Sequence, residues 1–185
     1  SLDTVLDAAK LIEKTEFGGF VQFVLIGDGP EKNRLINRVK SEKIKCVEFL
    51  PKVPRYEVYN VMQTADALLV ILKDAPVFGW GVSPNKLFDY MITARPVIYA
   101  VNSPYNPVEN ANAGISLSAQ NPVALAEAVL KMASLTAEER WQMGLRGRKY
   151  VMDNNDYARL ADHIEEILVN AIDKSDMHST IESEN

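Results

Sequence analysis

The sequence predicts an α/β fold built on a parallel sheet flanked by helices, and three observations lead there. Short apolar runs such as Phe23-Val24-Leu25-Ile26 and Ala67-Leu68-Leu69-Val70-Ile71-Leu72 have the unbroken apolar character of strands covered on both faces. These runs alternate with stretches of helical periodicity, which is the order that parallel βαβ units impose. Turn and cap residues, among them Gly27-Asp28-Gly29-Pro30 and Ser83-Pro84, stand where a strand should give way to a helix.

Each element follows from its own pattern. Leu2, Val5, Leu6, Ala9 and Ile12 recur at helical spacing, so the chain opens on an amphipathic helix with Ser1 or Asp3 near its start. Strands are expected at residues 21–26, 46–50, 67–72 and 96–100, with helices at 31–40, 55–64 and 85–93 between them. After a loop at 102–113 rich in Asn and Pro, Gly114 leads into a short strand at 115–117. Asn121-Pro122 opens a helix over 123–134, and Thr136 with Glu138 and Glu139 caps another over 137–153. A last helix is expected at 155–173. Met132, Trp141, Met143 and Leu145 fall at helical spacings and read as core. The whole is one Rossmann-like domain over residues 1–173, followed by a polar, disordered tail at 174–185.

Composition narrows the function. A net charge of −5 and a pI near 5.1 argue against a general nucleic-acid surface, which needs clustered Lys and Arg. Cys46 is the single cysteine and sits in an apolar segment, so it reads as core, with neither a disulfide framework nor a thiolate metal site available. His163 and His178 lie far apart without metal-ligand spacing, so no metal is expected. No apolar run reaches the ~20 residues of a membrane span, and no signal peptide opens the sequence. The expected compartment is the cytoplasm.

The most informative stretch is Gly81-Val82-Ser83-Pro84-Asn85-Lys86-Leu87-Phe88-Asp89-Tyr90-Met91, a loop that becomes a helix between two strands. Ser83 can cap the helix, and Pro84 removes an N–H that the first turn would leave unpaired. The free amides of Asn85, Lys86 and Leu87 then point at one spot, which favours a phosphate or diphosphate. Asp89, about one turn further in, can reach a ribose hydroxyl beside it. A nucleotide-sugar carries both groups. In open parallel sheets ligands sit beyond the carboxyl ends of the strands, where residues 27–30, 51–54, 73–84 and 102–107 would all emerge.

Each feature has a plainer reading. Gly27-Asp28-Gly29-Pro30 looks like a phosphate loop, but Lys32 stands where the third glycine of the dinucleotide fingerprint belongs, so a tight turn is the simpler account. The Ser83 to Lys86 start is equally an ordinary Pro-initiated cap, and Lys86 either adds charge to a diphosphate or is solvated. Asp89 is equally an exposed acid favoured by the helix dipole. Phe78 and Trp80 either cover a sugar ring or fill a domain interface. Pro51-Lys52-Val53 reads as a plain strand-to-helix connection.

With these pieces in order, the chain resembles the C-terminal, donor-binding domain of a glycosyltransferase of GT-B architecture, in the large retaining group 1 family. The resemblance rests on Val24-Leu25-Ile26-Gly27-Asp28-Gly29-Pro30, Phe49-Leu50-Pro51, Ala65-Asp66, the Ser83 to Met91 run, Arg95-Pro96-Val97-Ile98 and Ala113-Gly114-Ile115. The wording of the Ser83 to Met91 run is most similar to bacterial transferases that build surface polysaccharides. The resemblance implies that Asp89 binds the ribose, that Pro51, Lys52 and Val53 meet the base, that the donor is UDP-linked, and that no metal or cofactor takes part. It also implies an N-terminal acceptor domain and a first strand outside this sequence, so that this piece alone is inactive. A lipid-linked glycan acceptor would place the full-length protein at the inner face of the membrane.

The pattern is departed from at two places. Members pair an acid near the sugar with the ribose-binding acid, and the first position falls on Gly81, so sugar contacts are expected from Phe78, Trp80 and Gly81 and no catalytic residue is assigned. Ala94 stands where members have glycine, and a left-handed Ala would cost about 1 kcal/mol. Two rivals remain: a sugar-nucleotide epimerase of the same architecture, and a non-catalytic nucleotide-binding domain.

Overall fold

The computed structural model describes residues 2–82, 85–155, 161 and 164–169. Helix α1 (Leu2–Ile12) buries Val5, Leu6, Ala8, Ala9 and Ile12 completely, as its spacing predicts. It packs along α6 (Pro122–Ser134) on one side, and on the other its Asp3 and Asp7 pair with Arg34 and Arg38 of α2 (Lys32–Glu42). The hydrogen bond from the Arg34 guanidinium holds the Asp3 carboxyl well below the usual carboxylate range. Just past α1, the Glu13 carboxylate accepts the amides of Lys45 and Cys46 at the entry to the second strand. Cys46 is buried as expected, and burial beside that carboxylate pushes its thiol up to about 12.

Strand β1 (Phe23–Ile26) pairs in parallel with β2 (Val47–Leu50), with Phe23 opposite Val47 and Ile26 opposite Leu50. Strands β3 (Leu68–Ile71), β4 (Val97–Ala100) and β5 (Gly114–Leu117) form a second parallel sheet, with Leu68 opposite Val97 and Val97 opposite Gly114. Parallel strands flanked by helices are the architecture the sequence predicts, and the described strands divide between these two sheets. Helix α1 spans the two, joining Phe23 and Leu25 of β1 with Leu69 and Ile71 of β3 in a single core. Phe23 donates to Cys46 and Leu68 to Pro96, so the backbone groups of Val24, Ile26, Leu69 and Ile71 point away from their paired neighbours. No strand among the described residues pairs with those edges.

The expectation that every strand is covered on both faces holds for β4, where all four residues are buried. It fails for β1, whose Val24 and Ile26 are 46% and 38% exposed. Beneath the second face of the three-stranded sheet lies a separate core: Val70, Val97 and Tyr99 alternate with Leu69 and Ile98 and meet Leu87 and Met91 of α4 (Asn85–Met91) and Val151 of α7 (Ala137–Asn154).

Local codes place the helices. Asn121 caps α6 by accepting from Ala124, and Thr136 with Glu139 forms a full capping box at α7. The helix expected over 55–64 divides into a 3₁₀ turn, Arg55–Glu57, and α3 (Val58–Gln63). A short helix, α5 (Pro107–Asn110), forms inside the expected 102–113 loop, with Asn106 as its cap and Pro107 at its first turn. Met132 and Met143 join the core, whereas Trp141 is 47% exposed. The helix expected at 155–173 and the tail at 174–185 lie outside the described residues, apart from helical positions at 161 and 164–169.

Helix α4 ends at a turn in which Ala94 has φ 58°, the left-handed conformation anticipated for that position. An alanine there is strained, so Ala94→Gly should raise the unfolding free energy by about 1 kcal/mol, read as a higher urea midpoint at unchanged m-value.

Candidate functional site

Within each sheet the strands run in parallel, so residues 27–30 and 51–54 leave the carboxyl edge of one sheet and residues 73–82 and 102–107 leave that of the other. The loops are tied together in two pairs. The Lys32 ammonium donates to the carbonyls of Gly27 at 2.6 Å and Leu50 at 3.0 Å, joining the ends of β1 and β2. On the other sheet, the Val82 amide donates to Ser103 Oγ at 3.3 Å and the Asp74 amide to Gln120 Oε1 at 2.9 Å. Asn102 Oδ1 accepts the Ala119 amide at 3.0 Å and closes the same corner. Sequence reasoning missed Lys32, Ser103 and Gln120 as organisers. The available signal was small polar residues directly after a buried strand, as in Asn102-Ser103.

The Gly27-Asp28-Gly29-Pro30 segment is a strand-to-helix turn. Its Gly27 carbonyl is taken up by Lys32, which also lies 3.7 Å from the Asp28 carboxylate. Lys32 thus takes up the Gly27 carbonyl and occupies the place where a third glycine would let a pyrophosphate approach.

Of the helix start, Ser83 and Pro84 lie outside the described residues. Asn85 opens α4, and the side chains of Asn85, Lys86 and Asp89 are all exposed. Asn85 and Asp89 are four residues apart and therefore share a face. Leu87 is fully buried with Met91 on the opposite face, so only its main chain is available to a ligand. Tyr90 is half-buried, and burial, followed by the Asp89 charge, raises its hydroxyl above the usual tyrosine value.

Beside α4, a 3₁₀ turn (Pro76–Trp80) carries the two aromatic candidates. Trp80 is 93% exposed, while Phe78 is half-buried and its carbonyl accepts the Gly81 amide at 3.0 Å. Gly81 has φ 113° and ψ 151°, a region that only glycine adopts without strain. A side chain there would meet open space, so the demand is conformational: an acid at position 81 would cost about 1–3 kcal/mol of backbone strain. After β2, Pro51 and Lys52 are exposed and Val53 is half-buried.

Among the described residues no group of three His, Cys, Asp or Glu side chains could hold a metal ion, and no helix is long and apolar enough to cross a membrane. His163 and His178 lie outside the described residues.

Residues 1–134 match the family described as glycosyl transferases group 1. Sucrose-phosphate synthase from Thermosynechococcus elongatus superimposes with a TM-score of 0.73 at 16% identity, over 94% of this chain and 42% of that one. The Anabaena protein HepE, solved in complex with UDP-glucose, gives 0.66 at 15% identity, over 90% of this chain and 44% of that one. The C-terminal domain of the group 1 glycosyl transferase LpcC from Francisella tularensis gives 0.65 at 16% identity, over 83% of this chain and 78% of that one. Among curated proteins nothing matches. The chain thus spans less than half the length of the first two structures it is similar to. With a parallel, Rossmann-like architecture like that of a GT-B C-terminal domain, the chain belongs to the glycosyl transferases group 1 family.

Proposed function

We propose that this domain holds a nucleotide-sugar, UDP-linked, while the parent protein transfers the sugar to a growing surface glycan with retention at the anomeric carbon. The observation that carries this reading is the exposed start of α4, where Asn85 and Asp89 share a face and Lys86 is exposed with them, in a helix that follows β3 and the 3₁₀ turn of Phe78 and Trp80. The diphosphate lies against the first turn, met by Ser83, Pro84 and the amides of Asn85, Lys86 and Leu87. Asp89 accepts from the ribose hydroxyls. Pro51, Lys52 and Val53 bond the edge of the base, and Phe78 and Trp80 cover the sugar over Gly81.

The chemistry then comes from electrostatics. Helix-start amides and the Lys86 ammonium stabilise the negative charge that grows on the diphosphate as the glycosidic bond breaks, which lowers the barrier because that charge is greatest in the transition state. No metal or cofactor enters this scheme, and no general base is assigned, since Gly81 offers no side chain. The parent polypeptide would contribute a further parallel strand between the unpaired edges of β1 and β3. It would also contribute an N-terminal domain for the acceptor, a lipid-linked glycan met at the cytoplasmic face of the membrane.

HepE, solved with UDP-glucose, supplies the probe. Calorimetric titration of UDP and UDP-glucose into the intact parent protein should give dissociation constants from about 1 μM to 1 mM, the range of ordinary enzyme substrates. Absence of binding would overturn the reading. Product analysis by NMR, with and without an acceptor, should show transfer with retention; an altered free nucleotide-sugar without acceptor would identify an epimerase instead.

A further inference from the structure

We propose that Lys32 is a positioning residue for the base-side loop, acting through the Leu50 carbonyl to hold Pro51, Lys52 and Val53 where a nucleobase can bond them. The inference rests on the reading that this loop meets the base. It begins with the β1–β2 ladder, which loosens toward the rim. At its inner end Phe23 donates to Cys46 at 2.8 Å, whereas at the rim Gly27 donates to Leu50 at 3.5 Å, a weak contact. Lys32 supplies what the ladder loses. Its ammonium bridges the Gly27 and Leu50 carbonyls at 2.6 and 3.0 Å, and charge-assisted bonds of this kind are roughly twice as strong as neutral ones.

The loop itself is poor in main-chain donors. Pro51 and Pro54 have no N–H to donate, leaving the amides of Lys52 and Val53 as its only main-chain donors. A loop that recognises a base through its backbone must keep those amides free for the ligand, so its position has to be set from its stem. Lys32 grips that stem. Its side chain is 20% exposed, partly screened from water, and its third donor direction lies toward Asp28 at 3.7 Å. The residue that spoils the glycine fingerprint therefore has a role of its own: it exchanges a phosphate-binding turn for a fixed base-side loop.

The test compares Lys32→Met and Lys32→Arg in the intact parent protein. Hydrogen–deuterium exchange of the free protein should be faster over residues 50–56 in the Met variant. UDP should bind it about tenfold more weakly, while inorganic pyrophosphate, which lacks a base, binds as before. Arg, which also donates to carbonyls, should restore both the exchange and the affinity. Unchanged exchange and unchanged UDP affinity in Lys32→Met would overturn the proposal. So would an equal loss of UDP and pyrophosphate binding, which would mean general damage or direct contact with the phosphates. Faster exchange in the Met variant of a protein whose unaltered form binds no UDP would support the clamp and overturn the donor-binding reading.

Discussion

Gly144→Ala should destabilise the fold by about 3 kcal/mol, the upper end of what overpacking costs. A Cβ at residue 144 would lie 1.9 Å from the Ala94 carbonyl oxygen, 2.3 Å from its carbon and 2.9 Å from the Arg95 nitrogen. All three are main-chain atoms, so no side-chain rotation can relieve the clash. The turn they belong to is itself pinned: Ala94 is left-handed, and Arg95 donates to the Gln63 carbonyl. Helix propensity alone gives the opposite sign, because alanine inside a helix is favoured over glycine by roughly 1 kcal/mol. The direction of the shift in a urea melt therefore decides whether α7 truly rests on that turn. Because α7 also packs on α4, a folded fraction of the variant should show weakened UDP binding as α4 is displaced. A midpoint equal to or above that of the unaltered protein would show that the approach is looser than the structure has it.

What the sequence discloses is what short-range chemistry encodes. Asn121-Pro122 and the Thr136–Glu139 pair announce helix starts because a cap is made by residues within one turn of each other. The same signal stands at Asn106-Pro107, where α5 begins, and an expectation of plain loop overlooked it. Ala94 is legible only through the resemblance, because members carry glycine there; nothing in the residue itself announces its φ of 58°. Lys32, Ser103 and Gln120 are not legible, since their partners lie 18, 21 and 46 positions away and depend on strand register. The exposure of Val24 and Ile26 depends on which strands lie beside β1, a matter of topology that an apolar run cannot express. Gly81 shows the reverse case: its missing side chain is visible in the sequence, but the backbone conformation that excludes one is visible only in the structure.

If Asp89 grips the ribose as proposed, Asp89→Ala should weaken UDP binding by roughly 10- to 100-fold, the equivalent of one or two charge-assisted hydrogen bonds. Asp89 is exposed on α4 and makes no packing contribution that its loss would disturb, so stability should change by no more than about 0.5 kcal/mol. This separation of affinity from stability distinguishes a ribose ligand from an acid that merely suits the helix dipole. A dipole acid would lose a few tenths of a kcal/mol of stability and leave UDP affinity untouched. Asp89→Asn refines the test, because an amide oxygen still accepts from a hydroxyl without the charge; its loss should be intermediate. A ribose contact made equally in the ground and transition states would raise KM for the donor with kcat little changed, while a fall in kcat would mean that the grip tightens as the diphosphate departs. Inorganic pyrophosphate supplies the control, since it should bind the variant as well as the unaltered protein if Asp89 acts on the pentose and not on the phosphates.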